Sequence, residues 1–470
     1  HAGLGPLGIG GIYVSDLTTN STDDFVDGAG LSATFDFGTV LSNNARGLRT
    51  NPALPDVDAS VFSQICKVGI GDIDITPDGD TLYFTNLNDK HLYSLAIDSD
   101  TNAATPPTAA DVVRYAIPNP GCTGGTYRPW ATKIQDGKIY VGVVCDGNVS
   151  QNNADLRGFI YSFDLLTKAF DPVPVFDFPL TYPKGSPDPG RFPSTPGWFP
   201  WTDNIADYQK AFLTPTIYVS AHPQPLIGDI EFDIDGAMVI SLIDRGSMTL
   251  GYLDYDVNNT GVFEAIFVGG DILRAYAGEG TFVLENNAKA GPTTGYGSGN
   301  NQGPGYGEFY NDNFALSTSP AVHAENTSGG LALKPGSGEV LIATMDAVNN
   351  IVDAAGVRFL NNRTGLLNNS YNIYSGASQG SGLFGKAAGI GDLELDCDLL
   401  TTIEVGNRVW IDDNGNGIQD PCELPFQGIT VGLYSSSGSL LGTRVTDIDG
   451  YYHFSSTDIA GLLPGQSYTL

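Results

Sequence analysis

The stretch GDIDITPDGDTLYFTNL, Gly71 to Leu87, carries the pattern from which the architecture follows. Its first half alternates acidic and apolar residues, the pattern of a strand with one wet and one buried face. TPDGD supplies a glycine-bearing turn and TLYFTN a β-branched, aromatic return strand, so the whole reads as a hairpin. The opening recurs in GDIEFDIDGAMVISLID from Gly228 and in GDLELDC from Gly391. Weaker copies start at Ala131 (ATKIQDGKIYVGVVCD), Ala275 (AYAGEGTFVLEN) and Gly329 (GGLALKPGSGEVLIATMD). Self-similar strand–turn–strand units separated by loops of unequal length predict an all-β chain with a β-propeller-like head at residues 61–396, of roughly six or seven blades. An array of β-sandwiches is the rival architecture. Asp72, Asp229 and Asp392 carry two readings. They converge on the propeller axis around a cation, or they accept backbone N–H groups between blades.

Composition narrows the class. The chain has 470 residues, 41% of them hydrophobic, enough for several packed domains. Its 60 glycines and 28 prolines suit many short strands joined by turns. Against 53 carboxylates stand 22 bases, a net charge of −31, which excludes nucleic acid as a partner because phosphate binding needs a basic face. The same charge suits an extracellular or cell-surface setting rich in divalent cations. No run of about 20 apolar residues is present to span a membrane. His1 is not an initiator, which implies a chain that begins after processing. The five cysteines form no CxxC pair, which argues against zinc. Cys122 and Cys145 flank one predicted strand pair and form the expected disulfide. For the rest, Cys66–Cys397 and Cys397–Cys422 both stay open.

Residues 1–60 read as an N-terminal extended segment, and HAGLGPLGIGGIYVSDL within it is strand-competent enough to serve as an assembly strand. Two long loops stand out. One, Phe176–Asn204, brings Trp198 and Trp201 close together as candidate contacts for a sugar or a partner; the other, Gly291–Phe314, is glycine-rich with interspersed tyrosines. Enzymatic signals are weak. Gly376–Gly380 matches G-x-S-x-G, but GSGLFGKAAG after it does not make the helix that a nucleophile elbow requires. The histidines are scattered singly, and the expectation is that the chain is not an enzyme.

From Val405 the pattern changes to a small Greek-key β-sandwich, residues 404–470, reached through a linker at 397–403. Its tail, QSYTL, stops short of a final strand on this reading. The loop IDDNGNGIQDPCE holds the chemistry. Counting from Asp412 as position 1, Asn414 is 3, Asn416 is 5, Gly417 is 6, Ile418 is 7, Asp420 is 9 and Glu423 is 12. That is the spacing of a twelve-residue calcium loop: side-chain oxygens at 1, 3 and 5, a sharp turn at 6, a carbonyl at 7 and a carboxylate at 12. Calcium takes six to eight hard oxygen ligands, and a short loop delivers them only by curling around the ion.

VGNRVWIDDNGNGIQDPCELPFQGITVGLY followed by TRVTDIDGYYHF resembles the calcium-binding B-type repeat of serine–aspartate-repeat surface adhesins, related to the collagen-adhesin B-type fold. The resemblance implies calcium ligation by Asp412, Asn414, Asn416, Ile418, Asp420 and Glu423, with Asp447 and Asp449 as further metal candidates. Some relatives form a Lys–Asn isopeptide bond; here the first strand offers Arg408 instead of a lysine, so no such bond is expected. GDIDITPDGDTLYFTNL, PQPLIGDIEFDIDG and GNNQGPGYGEFY resemble the propeller-like head of large bacterial surface proteins that carry these modules. Three functions follow: a secreted adhesive or structural surface protein stiffened by calcium, a subunit that self-assembles into a fibre or lattice by strand donation, or a head that binds or processes surface glycans.

Overall fold

Ile73 and Ile75 alternate with Asp72 and Asp74 along the first strand, and the hairpin that follows gives them a partner strand. In the computed structural model of the chain, Ile70–Ile75, Thr81–Asn86, His91–Ala96 and Val112–Ala116 form an antiparallel sheet in chain order. The structure describes all residues except 1–4, 17–19, 27–30, 32–33, 51–55, 98–107, 194–195, 251, 279–280, 317–318, 335, 376–389, 396–403, 421–422, 456–457, 460 and 463–466. The G-x-S-x-G match, Cys397, Cys422 and the linker at 397–403 lie outside the described residues.

The meander repeats. A second sheet runs Tyr127–Gln135, Lys138–Cys145, Arg157–Asp164, with Ala169–Phe170 and Phe176–Pro179 both on its outer strand. The third uses Pro225–Phe232, Met238–Asp244, Asp271–Gly278 and Thr281–Leu284; the fourth uses Thr327–Leu333, Glu339–Met345, Ala354–Asn361 and Leu367–Ser375. Their first strands lie beside one another in chain order, the arrangement of propeller blades. Among the described residues four such sheets form, fewer than the six or seven expected. The excess has a physical source. The hairpin at Ala275 is the outer half of the third sheet, not the opening of a new one, because the Asp271–Gly278 strand pairs with Met238–Asp244. Between those two strands the chain leaves to build a mixed sheet in which Ile217–Ala221 runs parallel to Asn259–Ile266.

The GD motif explains how the first strands meet. Asp72 accepts the N–H of Ile73 at 2.8 Å with one oxygen and that of Thr132, in the next sheet, at 2.8 Å with the other. Asp229 repeats this with Ile230 at 2.6 Å and Leu331 at 2.7 Å, and Asp74 reaches the N–H of Ile134. Between the second and third sheets Lys133 donates to Glu231 at 2.8 Å. The glycines before Asp72 and Asp229 have no room for a side chain: a Cβ at Gly71 would strike Thr85 Oγ1, and one at Gly228 would strike Ile243. Apolar faces fill the space between sheets, with Ile227, Ile230, Ile240 and Leu242 fully buried in the largest core.

The N-terminal segment is not a free strand. Ile12–Asp16 pairs antiparallel with Ser21–Val26, and Ile12, Leu31 and Phe37 are buried against Phe84, Tyr93 and Leu95 of the first sheet. Ile12, Leu31 and Phe37 thus find their cover within this chain, while Tyr13 and Val14 of the same strand stay exposed. Cys122 and Cys145 are joined, with Cα atoms 5.4 Å apart. Cys66 is a free thiol buried 3.4 Å from Met248 Sδ, so the Cys66–Cys397 pairing is not formed.

Residues 395–470, with 278–280, separate as a second compact unit. Within it Glu404–Arg408 pairs with Tyr451–Ser455, and Leu440–Val445, Thr430–Ser435 and Tyr468–Thr469 form a three-stranded sheet around Leu433, Phe454 and Leu462. The tail expected to fall short of a strand itself pairs, through Tyr468 and Thr469, with Ser435 and Tyr434. Replacing Cys122 and Cys145 together by serine is expected to lower unfolding free energy by about 3 kcal/mol in a urea titration, as for a loop of this size; an unchanged midpoint would show that the bridge constrains nothing.

Candidate metal centre

A ladder closes the base of the acidic loop. Phe426 N–H donates to Val409 O at 2.9 Å and Ile411 N–H to Leu424 O at 2.9 Å, so Asp412 and Glu423 leave the two strands side by side. Asp412 then organises the turn. One of its oxygens accepts the N–H groups of Gly415 at 2.7 Å and Asn416 at 3.2 Å, and the other that of Gly417 at 2.8 Å. Gly417 holds a φ of +76°, the left-handed backbone that the sixth position requires and that glycine adopts without strain.

The remaining candidates complete a ring. Asn416 donates to Asp420 Oδ2 at 2.8 Å, and Asn414 donates to the same oxygen. Asn416 Oδ1 accepts the N–H of Ile418 at 2.7 Å, while the Ile418 side chain is 65% exposed, so only its backbone can serve the loop. Glu423 accepts the N–H of Asp413 at 3.1 Å and of Asp420 at 2.9 Å. The donor set is all oxygen, carboxylate, carboxamide and carbonyl, which suits calcium and suits zinc or copper poorly. Asp447 serves the backbone instead. It accepts the N–H groups of Asp449 at 2.9 Å and Tyr451 at 2.9 Å and so closes the last hairpin, while the Asp449 carbonyl accepts Arg408 Nε at 2.8 Å. Among the described residues, neither the loop carboxylates nor Asp447 and Asp449 form a trio with oxygens within 4.8 Å.

Among the described residues, Asp72, Asp229 and Asp392 also form no such trio. Burial, then the charge of Asp392, pushes the carboxyls of Asp72 and Asp229 well above the usual range, and their oxygens are engaged with backbone N–H groups. That geometry supports the inter-strand reading over an axial cation. The tryptophans require a correction. Trp198 and Trp201 are 1% and 0% exposed and cannot stack on a ligand. Trp198 Nε1 donates to the Tyr182 hydroxyl at 3.3 Å, and Trp201 Nε1 to Pro225 O at 2.8 Å with the Arg245 guanidinium 4.8 Å from its ring. The loop folds inward because its aromatic area is more stable in the core than in water. One convergence is absent from the sequence pattern: Asp271, Asp312 and Glu325, all buried, bring oxygens within 4.8 Å of one another. No spacing signal announces them, because each comes from a different segment of the chain.

Residues 403–469 match the family described as the SdrD B-like domain. Serine-aspartate repeat-containing protein D of Staphylococcus aureus (strain Newman) is 46% identical over 54 residues, 12% of this chain and 4% of that protein. Residues 403–469 form a B-type module. Over 94% of its length the chain is 30% identical to Colossin-A of Dictyostelium discoideum, and over 79% it is 28% identical to Colossin-C of the same organism. The chain spans 4% of the first and 34% of the second. The nearly full-length likeness is thus to Dictyostelium proteins, so the expectation of a bacterial head does not rest on them. Among solved structures, a regucalcin from Agrobacterium tumefaciens overlays only loosely, with a TM-score of 0.28 at 11% identity, covering 81% of this chain and 75% of that one. No helix of the described residues is long and apolar enough to cross a membrane.

Buried carboxylates give a pH signature. Asp244, fully buried, is pushed up to about 7 by burial, although the N–H groups of Gln224 and Gly246 offset part of it. Asp72 and Asp229 shift the same way. A group that binds its proton more tightly when folded makes the folded chain take up protons, so stability falls as pH rises. The cost is fully present above about pH 7 and is relieved as pH drops toward the unfolded carboxyl value near 4. In metal-free buffer, scanning calorimetry is expected to show a higher Tm at pH 5.5 than at pH 8; the reverse order would contradict the burial of these groups.

Proposed function

We propose that the chain is part of a secreted, cell-surface structural or adhesive protein in which a propeller-like head is joined to a B-type module stiffened by calcium. The observation that carries this reading is the loop Asp412–Glu423, whose backbone N–H groups turn onto Asp412 and whose Asn416, Asp420 and Glu423 are linked in turn by hydrogen bonds. It lies within the part of the chain that matches the SdrD B-like domain. The charge of −31 supports an environment where divalent cations are abundant.

Asp412, Asp420 and Glu423 are three of the four carboxylates on this short loop, with Asp413 the fourth and Asn414 and Asn416 as neutral ligands. Calcium supplies the positive charge that holds those carboxylates together, and without it they repel. Two carboxamides among the ligands set the affinity toward the weak end, on the order of 10⁻⁴ M. The B-type module is then rigid outside a cell and soft where calcium is scarce. The chain itself performs no reaction in this reading; its product is a fixed geometry.

Trp410, the one tryptophan of residues 395–470, sits two residues before Asp412 and reports on the loop. Calcium titration is expected to shift the thermal transition followed by Trp410 fluorescence upward, with about 2.7 kcal/mol gained at a hundred times the dissociation constant. Asp412→Ala and Glu423→Ala should each abolish that shift. A transition insensitive to millimolar calcium in the unaltered chain would defeat the proposal.

A further inference from the structure

The carboxylates of Asp271, Asp312 and Glu325 come from the first residue of the Asp271–Gly278 strand, the segment before Phe314–Leu316, and the approach to Thr327–Leu333. They are 3%, 1% and 0% exposed, and one oxygen of each lies within 4.8 Å of the others. Protein donors satisfy part of this group. Tyr182 OH donates to Asp271 Oδ2 at 2.5 Å, Thr327 to Asp312 Oδ2 at 3.0 Å, and Gln302 to Glu325 Oε1 at 3.0 Å. Asp312 Oδ1 and Glu325 Oε2 have no hydrogen-bond partner among the described residues. A carboxylate oxygen left bare inside a protein is strongly destabilising unless a charge or donor meets it.

The charge of Lys184 partly offsets that of all three carboxylates, and that of Arg358 offsets Asp312, but the hydrogen bonds of both cations go elsewhere. Lys184 is fully buried, but its Nζ donates to Gly270 O at 3.3 Å and lies 4.7 Å over the Trp198 ring. Arg358 donates to the carbonyls of Ala347 and Asn313 and to Asn349. Two further buried acids, Glu285 and Glu308, add negative charge around the three, and Glu285 Oε2 also lacks a partner among the described residues. The chain is shaped to fit: a Cβ at Gly185 would collide with Glu325 Oε1.

We propose that Asp271, Asp312 and Glu325 hold a buried divalent cation, calcium by its ligand chemistry, that ties the third sheet to the fourth. Three oxygens within 4.8 Å of one another share a centre no more than about 2.8 Å from each, close to the calcium bond length of about 2.3–2.6 Å, whereas magnesium demands a tighter octahedron. The ligands are hard oxygens only, which disfavours softer metals. Burial of all three makes this a structural ion taken up with folding rather than an exchanging one. It is separate from the loop at Asp412–Glu423, which lies in the other unit.

The test uses the full chain with Asp412→Ala and Glu423→Ala, which leave residues 1–394 untouched. After exhaustive stripping and refolding in calcium, metal analysis is expected to find about one calcium per chain in this variant. Adding Glu325→Gln or, separately, Asp312→Asn should remove it, since each preserves volume while deleting a charge. Terbium provides a second readout that needs no change to the ligands. Trp198 reaches Asp271 through Tyr182, so terbium emission excited through tryptophan should appear in the loop variant and drop several-fold in Trp198→Phe. A loop variant that holds no calcium and sensitises no terbium overturns the proposal, as does a Glu325→Gln chain that binds as much calcium as its parent.

Discussion

An ionised carboxylate cannot be buried without a partner, and this chain has more than twice as many carboxylates as bases to offer one. Most of what is distinctive in the structure follows from how that shortage is met. Along the inner strands, backbone N–H groups stand in for cations: Asp72 and Asp229 each bond one N–H of their own strand and one of the strand in the next sheet. The motif is therefore a seam. It needs glycine for close approach, aspartate for its short reach to two donors, and a β-branched or aliphatic residue to turn back to the core.

Where arginine is available, it is concentrated at a few sites. Arg245, with no exposed surface, donates to Ile65 O, Thr202 O, Gln224 and Asp203 and lies over Trp201, so one guanidinium anchors the long aromatic loop against the sheets. Arg274 joins Asp233, Asp235 and Tyr310 in the same manner. At Asp312 and Glu325 one carboxylate oxygen each lacks a hydrogen-bond partner among the described residues, and there a buried cation is proposed to enter.

Strands, turns and the acidic loop were legible because their signals are local. Alternation over six residues specifies a strand, and the spacing of Asp412 and Gly417 specifies a tight turn, with no knowledge of the rest of the chain. Blade number was not legible, since the hairpin at Ala275 looks the same whether it opens a sheet or completes one. Trp198 and Trp201 were misread for a related reason: a proline-rich stretch states that a loop is present but not which way its aromatic side chains point. Asp271, Asp312 and Glu325 were invisible because tertiary structure alone brings them together. The N-terminal strand was legible as a strand, but its pairing with Ser21–Val26 was not, because that partner is too polar to announce itself.

In the proposed reading a module stiffened by calcium is joined in one chain to a sheet-rich head, and its stiffness depends on ions that the surroundings provide. That dependence is seen most directly in an anomalous difference map, collected at long wavelength from crystals of the chain grown in calcium. A peak is expected inside the curl of residues 412–423, bonded by the carboxylates of Asp412 and Glu423. A map at millimolar calcium with ordered loop density and no peak there would overturn the calcium assignment.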